Sequence, residues 1–354
     1  MLWTNTTRFV LPQIVDGRPA TSARYTPEAA YELAIMECAG EPFTELVLSW
    51  NADTPPGTGL ALETRVRYAA IAAPPEAATW SAWRHLGHWG AGSRAGLPLP
   101  RSMEDGRGAD PVVRVDIDVL RLETGFAASA FQVRLALYGG DASPTVRLLA
   151  ASTADRGRRV VDAAHDPPLG QAVHLPVPPR SQRVEHPTIA GDICSPTSLG
   201  MVLQFYGMDQ PTAQVAQAVF DHGAAIYGNW PFNAAYAGSQ GLRALVRHFG
   251  TMGEIERALQ QGHPVIVSIA FEAGELPESP IARSAGHLIV VTGVTAAGDF
   301  LVNDPAAHPD MGEAIARVYG RDHLRAVFLR HGGIGYVLEP EPAGPLAGPA
   351  PGAR

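Results

Sequence analysis

Cysteine is nearly absent: 354 residues contain only Cys38 and Cys194. That rules out a disulfide scaffold and a zinc site built from several thiolates. Charge is sparse too, at 18% Asp, Glu, Lys and Arg, with a formal net charge of −8. No basic run occurs, which excludes nucleic acid and anionic membrane surfaces as expected partners. No apolar stretch approaches the roughly 18–20 residues that span a membrane. The opening MLWTNTTRFVLPQ has no basic region followed by an apolar run, so no signal peptide is read there. A cytoplasmic location is the default expectation, with export left open. What the chain does have is apolar bulk, 46% of residues, and length enough for two domains.

The first part reads as β structure. Leu60, Leu62, Thr64, Val66 and Tyr68 alternate with Glu63, Arg65 and Arg67, and Val113, Val115, Ile117 and Val119 alternate with Arg114, Asp116 and Asp118. Phe131, Val133, Leu135 and Leu137 repeat the period of two, with Pro/Gly-rich turns between the runs. The pattern predicts an all-β antiparallel sandwich (jelly-roll-like) over 1–165 as an accessory domain. The proline-rich, aperiodic stretch 166–187 predicts a stiff linker. Beyond it the pattern is mixed, an α+β domain over 178–339, and 340–354 is predicted to be a disordered tail. Helices are expected at 195–206, 212–222, 240–249, 252–261 and 312–329, and strands at 264–270, 287–295, 300–303 and 335–338.

Chemistry concentrates in GDICSPTSLGMVLQFYG, from Gly191 to Gly207. Leu199, Val202, Leu203 and Tyr206 fall on one helix face, Pro196 suits a first turn, and Gly207 supplies a stop. Cys194 therefore sits where the helix dipole favours thiolate, the nucleophilic form. Downstream, GHLIVVTGV carries His287 into a strand and FLVNDP ends the next at Asp304, with a turn at Gly298 between them. Folding that hairpin about Ala296 sets His287 opposite residues 304–306. A carboxylate there can hold one imidazole nitrogen and leave the other for the thiol proton. Alternation permits only one of Asn303 and Asp304 to face His287. An oxyanion donor is also needed, and Gln182, upstream in RSQRVEH, is a candidate beside the Cys194 backbone amide.

Taken together, PPRSQ, HPTIAGDICSPTSLGMVLQFYG, GNWPFNAAYA, PVIVSI, GHLIVVTGV and VNDPA make the second part resemble bacterial cysteine peptidases. The resemblance is to the family-39-like, bacteriocin-processing type of the papain-like clan, over Pro178 to about Leu338. It implies a papain-like fold, a peptide or protein substrate, Cys194 as nucleophile, His287 as base, Asp304 as orienting acid and Gln182 as oxyanion donor. Two alternatives stand beside peptide hydrolysis: a catalytically silent peptide- or glycan-binding protein, and an amidase or acyltransferase using the same triad. Asn229, Trp230 and Asn303 are the expected cleft residues. Trp80, Trp83 and Trp89 pose a choice between core packing and a glycan contact by the first domain. His85 and His88 have no third ligand nearby, so neither a metal nor a cofactor is expected.

Overall fold

The computed structural model describes residues 29–38, 41–90, 100–102, 110–139, 142, 144–158 and 166–341. The expected tail beyond 341, the opening segment and most of the loop 90–110 lie outside them. The first half contains β1 (Ala29–Glu32), β2 (Met36–Glu37), β3 (Glu45–Asp53), β4 (Gly59–Ala70), β5 (Thr79–Trp80), β6 (Arg84–Gly90), β7 (Val113–Asp116), β8 (Val119–Leu122), β9 (Phe126–Tyr138) and β10 (Thr145–Ala154). These form two antiparallel sheets. One has the order β1-β9-β4-β5, with β2 also on β9 and β6 also on β4, and the other has the order β10-β3-β8-β7. The alternation in β4 is realised: Leu60, Leu62, Thr64 and Val66 are buried, while Glu63, Arg65 and Arg67 are partly exposed. Phe43, Leu46, Leu48, Leu62, Val66, Phe131 and Val133, from both sheets, share one hydrophobic cluster.

The second half contains β11 (Val173–His174), α1 (Cys194–Phe205), α2 (Thr212–Val219), α3 (Trp230–Ser239), β12 (Leu242–His248), α4 (Met252–Gln260), β13 (Val265–Phe271), β14 (Ser284–Val294), β15 (Phe300–Asn303), β16 (Ala316–Tyr319), α5 (Arg321–Arg330) and β17 (Ile334–Pro340). Its sheet runs β12-β17-β13-β14-β15-β16, with β11 added to β14. Successive residues of β14 serve opposite faces. Leu288 and Val290 join the cluster of α1–α3, whereas Ile289 and Val291 join Ile255, Leu259, Leu324 and Phe328 of α4 and α5.

Three expected elements differ. The segment GNWPFNAAYA, outside every expected helix, is the start of α3: Asn229 Oδ1 accepts from Phe232 N at 3.0 Å, and Pro231 fits the first turn. The expected helix 240–249 is the strand β12. Gly241 turns the chain with φ +88°, and Leu242, Ala244, Val246 and His248 are then buried at period two. The expected helix 312–329 is divided, because Gly312 is left-handed (φ 82°) and β16 pairs with β15 before α5 begins. The stretch 166–187 is packed along the second half, not left as a bare connection. Asp166 accepts from Met252 N (2.6 Å) and Gly253 N (3.1 Å) at the start of α4, and Arg321 bridges it to the buried Glu256.

The two halves meet along β12, an edge strand whose outward amides need partners. Asn51 supplies a two-pronged clamp: its Oδ1 accepts from Ala244 N at 3.0 Å and its Nδ2 donates to Ala244 O at 2.8 Å. Val246 N donates to Ser49 Oγ (3.1 Å) and His248 N to Ser152 Oγ (2.9 Å), so every second amide of the edge is satisfied by the first half. Phe232 of α3 packs against Trp50 and Trp89, with ring centroids 6.1 and 5.4 Å away. Gly238 is required beneath Asn51, since a Cβ there would come within 2.7 Å of three of its side-chain atoms. Trp89 is thus a packing residue of this seam. Trp80 and Trp83 lie half-buried with Arg65 over both rings (4.8 and 4.7 Å) and Arg134 over Trp83 (4.2 Å). Arginine already takes up these ring faces, and the expected glycan contact finds no support.

Asn51→Leu strands two buried backbone groups of Ala244, at about 1–3 kcal/mol each. Denaturant unfolding should show a loss of roughly 2–6 kcal/mol with the slope m unchanged.

Candidate active site

Cys194 is the first residue of α1 and is half-buried. Pro196 occupies the first turn, and Thr197 Oγ1 donates back to Ile193 O at 2.7 Å. One turn on, Ser198 Oγ donates to Leu288 O at 3.1 Å, docking α1 onto β14 beside His287. His287 enters β14 opposite Ile269 of β13 and is 3% exposed. On the other side Val290 pairs with Asn303 of β15; continuing that register by three residues sets His287 opposite 306. Asp304 lies just past the strand end and reaches back diagonally, its Oδ1 2.8 Å from His287 Nε2.

Asp304 is fully buried, and both of its oxygens accept hydrogen bonds. Oδ1 also accepts from Ala306 N at 2.8 Å, and Oδ2 accepts from Tyr319 OH at 2.5 Å. Burial alone would raise its pKa, but the charge and hydrogen bond of His287, then Tyr319 and the Ala306 amide, hold it below the usual carboxylate value. Burial likewise acts to lower His287, and is outweighed by the Asp304 charge and hydrogen bond and by Cys194, which together push the imidazole up to about 10. At Cys194 desolvation opposes ionisation, yet the hydrogen bond and charge of His287 and the Leu288 amide bring the thiol below its ordinary value. The arrangement favours a thiolate beside an imidazolium. Cys38, the other free thiol, is pushed up to about 11 by burial and by Glu37 and Glu41.

The remaining expected residues divide. Gln182 is buried between the two sides of the site: its backbone amide donates to Pro305 O (2.9 Å), next to Asp304, and its Nε2 donates to Ala190 O (2.8 Å), on the approach to Cys194. Asn303 does not face His287, because its Nδ2 donates to Val177 O at 2.9 Å. Asn229 is occupied as the cap of α3 and as a donor to Asp221 Oδ2 (2.9 Å). Trp230 is half-buried and packs into the cluster that includes Cys194. Two residues escaped the sequence reading: Tyr319, which holds Asp304, and Tyr336, whose hydroxyl lies 3.0 Å from Ser195 Oγ. Both reach the site by long-range pairing, and nothing local in RVYG or IGYVL marks them. Among the described residues no group of three or more His, Cys, Asp or Glu could hold a metal ion.

Residues 174–331 match the model of the Peptidase_C39 like family, and residues 11–154 match that of the Peptidase C39 N-terminal domain. Among solved structures, a C39-like peptidase from Bacillus anthracis is 16% identical, with 48% of this chain and 98% of that one covered and a TM-score of 0.37. A double glycine motif protease of an AMS/PCAT transporter, solved with a leader peptide, is 21% identical over 48% and 98% (TM-score 0.32). The peptidase domain of Streptococcus ComA is 14% identical over 43% and 93% (TM-score 0.32). No curated protein matches the chain.

The opposite shifts of the two thiols set a pH expectation. A lowered acid is ionised at lower pH, so at pH 7 iodoacetamide should modify Cys194, whereas Cys38 should react only as pH approaches 11. Peptide mapping reads the ratio. Equal labelling of both thiols at neutral pH contradicts the arrangement.

Proposed function

We propose that the second half is a papain-like cysteine peptidase domain acting through Cys194, His287 and Asp304, and that the first half is a β-sandwich against which it is built. The observation that carries this reading is the buried His287 held 2.8 Å from Asp304, whose far oxygen is closed by Tyr319, with the imidazole acting to lower the Cys194 thiol at the start of α1. The thiolate attacks the peptide carbonyl, and the carbonyl π electrons move onto oxygen. The Cys194 backbone amide and the second N–H of the Gln182 side chain, whose first is used on Ala190 O, receive that oxyanion. The imidazolium of His287 gives its proton to the leaving amine as the C–N bond breaks, leaving a thioester. His287 then takes a proton from water, whose oxygen attacks the thioester; collapse releases the acid and regenerates the thiolate–imidazolium pair. Asp304 keeps the ring oriented and stabilises its charged form throughout.

The domain limits follow from the same reading: a sandwich to about 165, a peptidase domain to 339, and a segment 166–187 that carries Gln182 into the site. A peptide or protein is the substrate class, because a thiolate with an oxyanion donor and a proton for a leaving amine are what amide cleavage requires.

Cys194→Ala should abolish hydrolysis of a peptide library read by mass spectrometry, and leave the melting temperature nearly unchanged. Asp304→Asn should lower kcat by roughly 10²–10⁴-fold, as expected when the base loses its tautomer and orientation. For the wild type, kcat/KM should rise as Cys194 ionises and fall again as pH passes about 10, where the imidazolium is lost. Turnover in Cys194→Ala equal to wild type would end the proposal.

A further inference from the structure

The hairpin β7–β8 belongs to the first half, yet its tip ends on the second. The turn is closed by Asp118 N donating to Asp116 O at 2.7 Å, with Ile117 between them at φ 61°. A β-branched side chain in that left-handed region costs about 1–3 kcal/mol, a strain kept only where the surroundings impose it. Ile117 itself is 38% exposed, so its own packing does not demand the turn. What the turn delivers is Asp118. Its Oδ2 accepts from Trp230 N at 2.8 Å, at the first residue of α3.

Beyond the Trp230 amide that it accepts from, the charged and polar groups within electrostatic reach of Asp118 are Arg121 on its own hairpin, Asp221 before α3 and the Tyr336 hydroxyl on β17. Tyr336 is fully buried, lies within electrostatic reach of both Asp118 and Cys194, and shares a hydrogen bond with Ser195, the residue after Cys194. Trp230, held by Asp118, and Cys194 both pack against the hydrophobic cluster that contains residues of α1 and α3. One carboxylate of the first half therefore fixes the start of α3 and sets the charge behind the hydroxyl that meets the start of α1.

We infer that Asp118 is a positioning residue for Cys194, so that the active site is completed across the two halves and the first half is a working part of the catalyst. This rests on Cys194 being the nucleophile. Desolvation, with Asp221, pushes the Asp118 carboxyl up to about 7 against the opposing Trp230 amide and Arg121. Its charge therefore changes near neutrality. Ionised, it makes a charge-assisted bond to Trp230 N and complements the dipole of α3; protonated, that bond weakens.

The test uses the full chain as wild type, Asp118→Asn and Asp118→Ala. The iodoacetamide rate at Cys194 is followed against pH, and kcat and KM are followed on a cleaved peptide. The wild-type rate should carry an inflection near pH 7 in addition to that of the thiol. Asp118→Asn, which still offers an oxygen to Trp230 N, should lose that inflection and keep most of the plateau rate. Asp118→Ala should lose about tenfold or more in kcat with KM within about twofold, the pattern of a misplaced reacting group and not of weaker binding. An inflection that persists in Asp118→Asn, or a folded Asp118→Ala with wild-type kcat and pH profile, overturns the inference. If Asp118→Ala does not fold, the Asp118→Asn profile decides alone. A wild-type Cys194 no more reactive than Cys38 removes the nucleophile reading and this inference with it, whereas a reactive Cys194 indifferent to Asp118 removes the inference only.

Discussion

An edge strand with unpaired amides cannot be left buried, and β12 is buried. The structure resolves this with side chains in place of another strand: Asn51, Ser49 and Ser152 meet Ala244, Val246 and His248 at alternate positions of the edge. A ladder of backbone bonds would have fused the sheets into one. Side-chain partners let two separately twisted sheets abut while every second donor is satisfied. The arrangement brings β3 close enough for Trp50 to pack on Phe232, and it fixes α3 between the halves. The start of α3 is therefore fixed by residues of both halves, with Asp118 accepting from the Trp230 amide.

Within the site, burial works against all three ionisable groups if each is taken alone. A lone buried carboxylate, imidazolium or thiolate is costly, and desolvation opposes the charged form at Asp304, His287 and Cys194 alike. The charges become tolerable as a set. Tyr319 and the Ala306 amide spend their donors on Asp304, Asp304 holds His287, and His287 with the Leu288 amide holds the sulfur. The polarity of the run is therefore set at its buried end, by a tyrosine on β16, and read out at its half-exposed end.

Local patterns in the chain were informative where local physics decides. The period of two in β4, the helix face behind Cys194, and the hairpin around Gly298 (φ 94°) all appear where spacing predicts. The hairpin also brings His287 to Asp304, with register within the stated range, while Asn303 turns to Val177. Around 228–249 the local pattern is ambiguous: Trp, Pro and Phe resemble a loop, and LRALVRH fits both periods. There the outcome depends on Asn51 and Trp50, some 190 residues earlier in the chain, which no window of sequence contains. Tyr319, Tyr336 and Asp118 were invisible for the same reason: each is an ordinary strand or turn residue until the sheets assemble.

The seam also imposes an order in time. Synthesis runs from the first half to the second, and residues 29–154 emerge before α3 and β12 exist. During that interval Trp50, Trp89, Asn51 and Ser152 belong to a surface whose partners have yet to be made. A nascent chain paused there presents aromatic bulk and unused hydrogen-bonding groups side by side, the kind of surface that holdase chaperones recognise and that pairs wrongly with a neighbouring copy. For this molecule the hazardous moment of biogenesis falls between the completion of β10 and the arrival of β12, a stretch of about 90 residues on the ribosome.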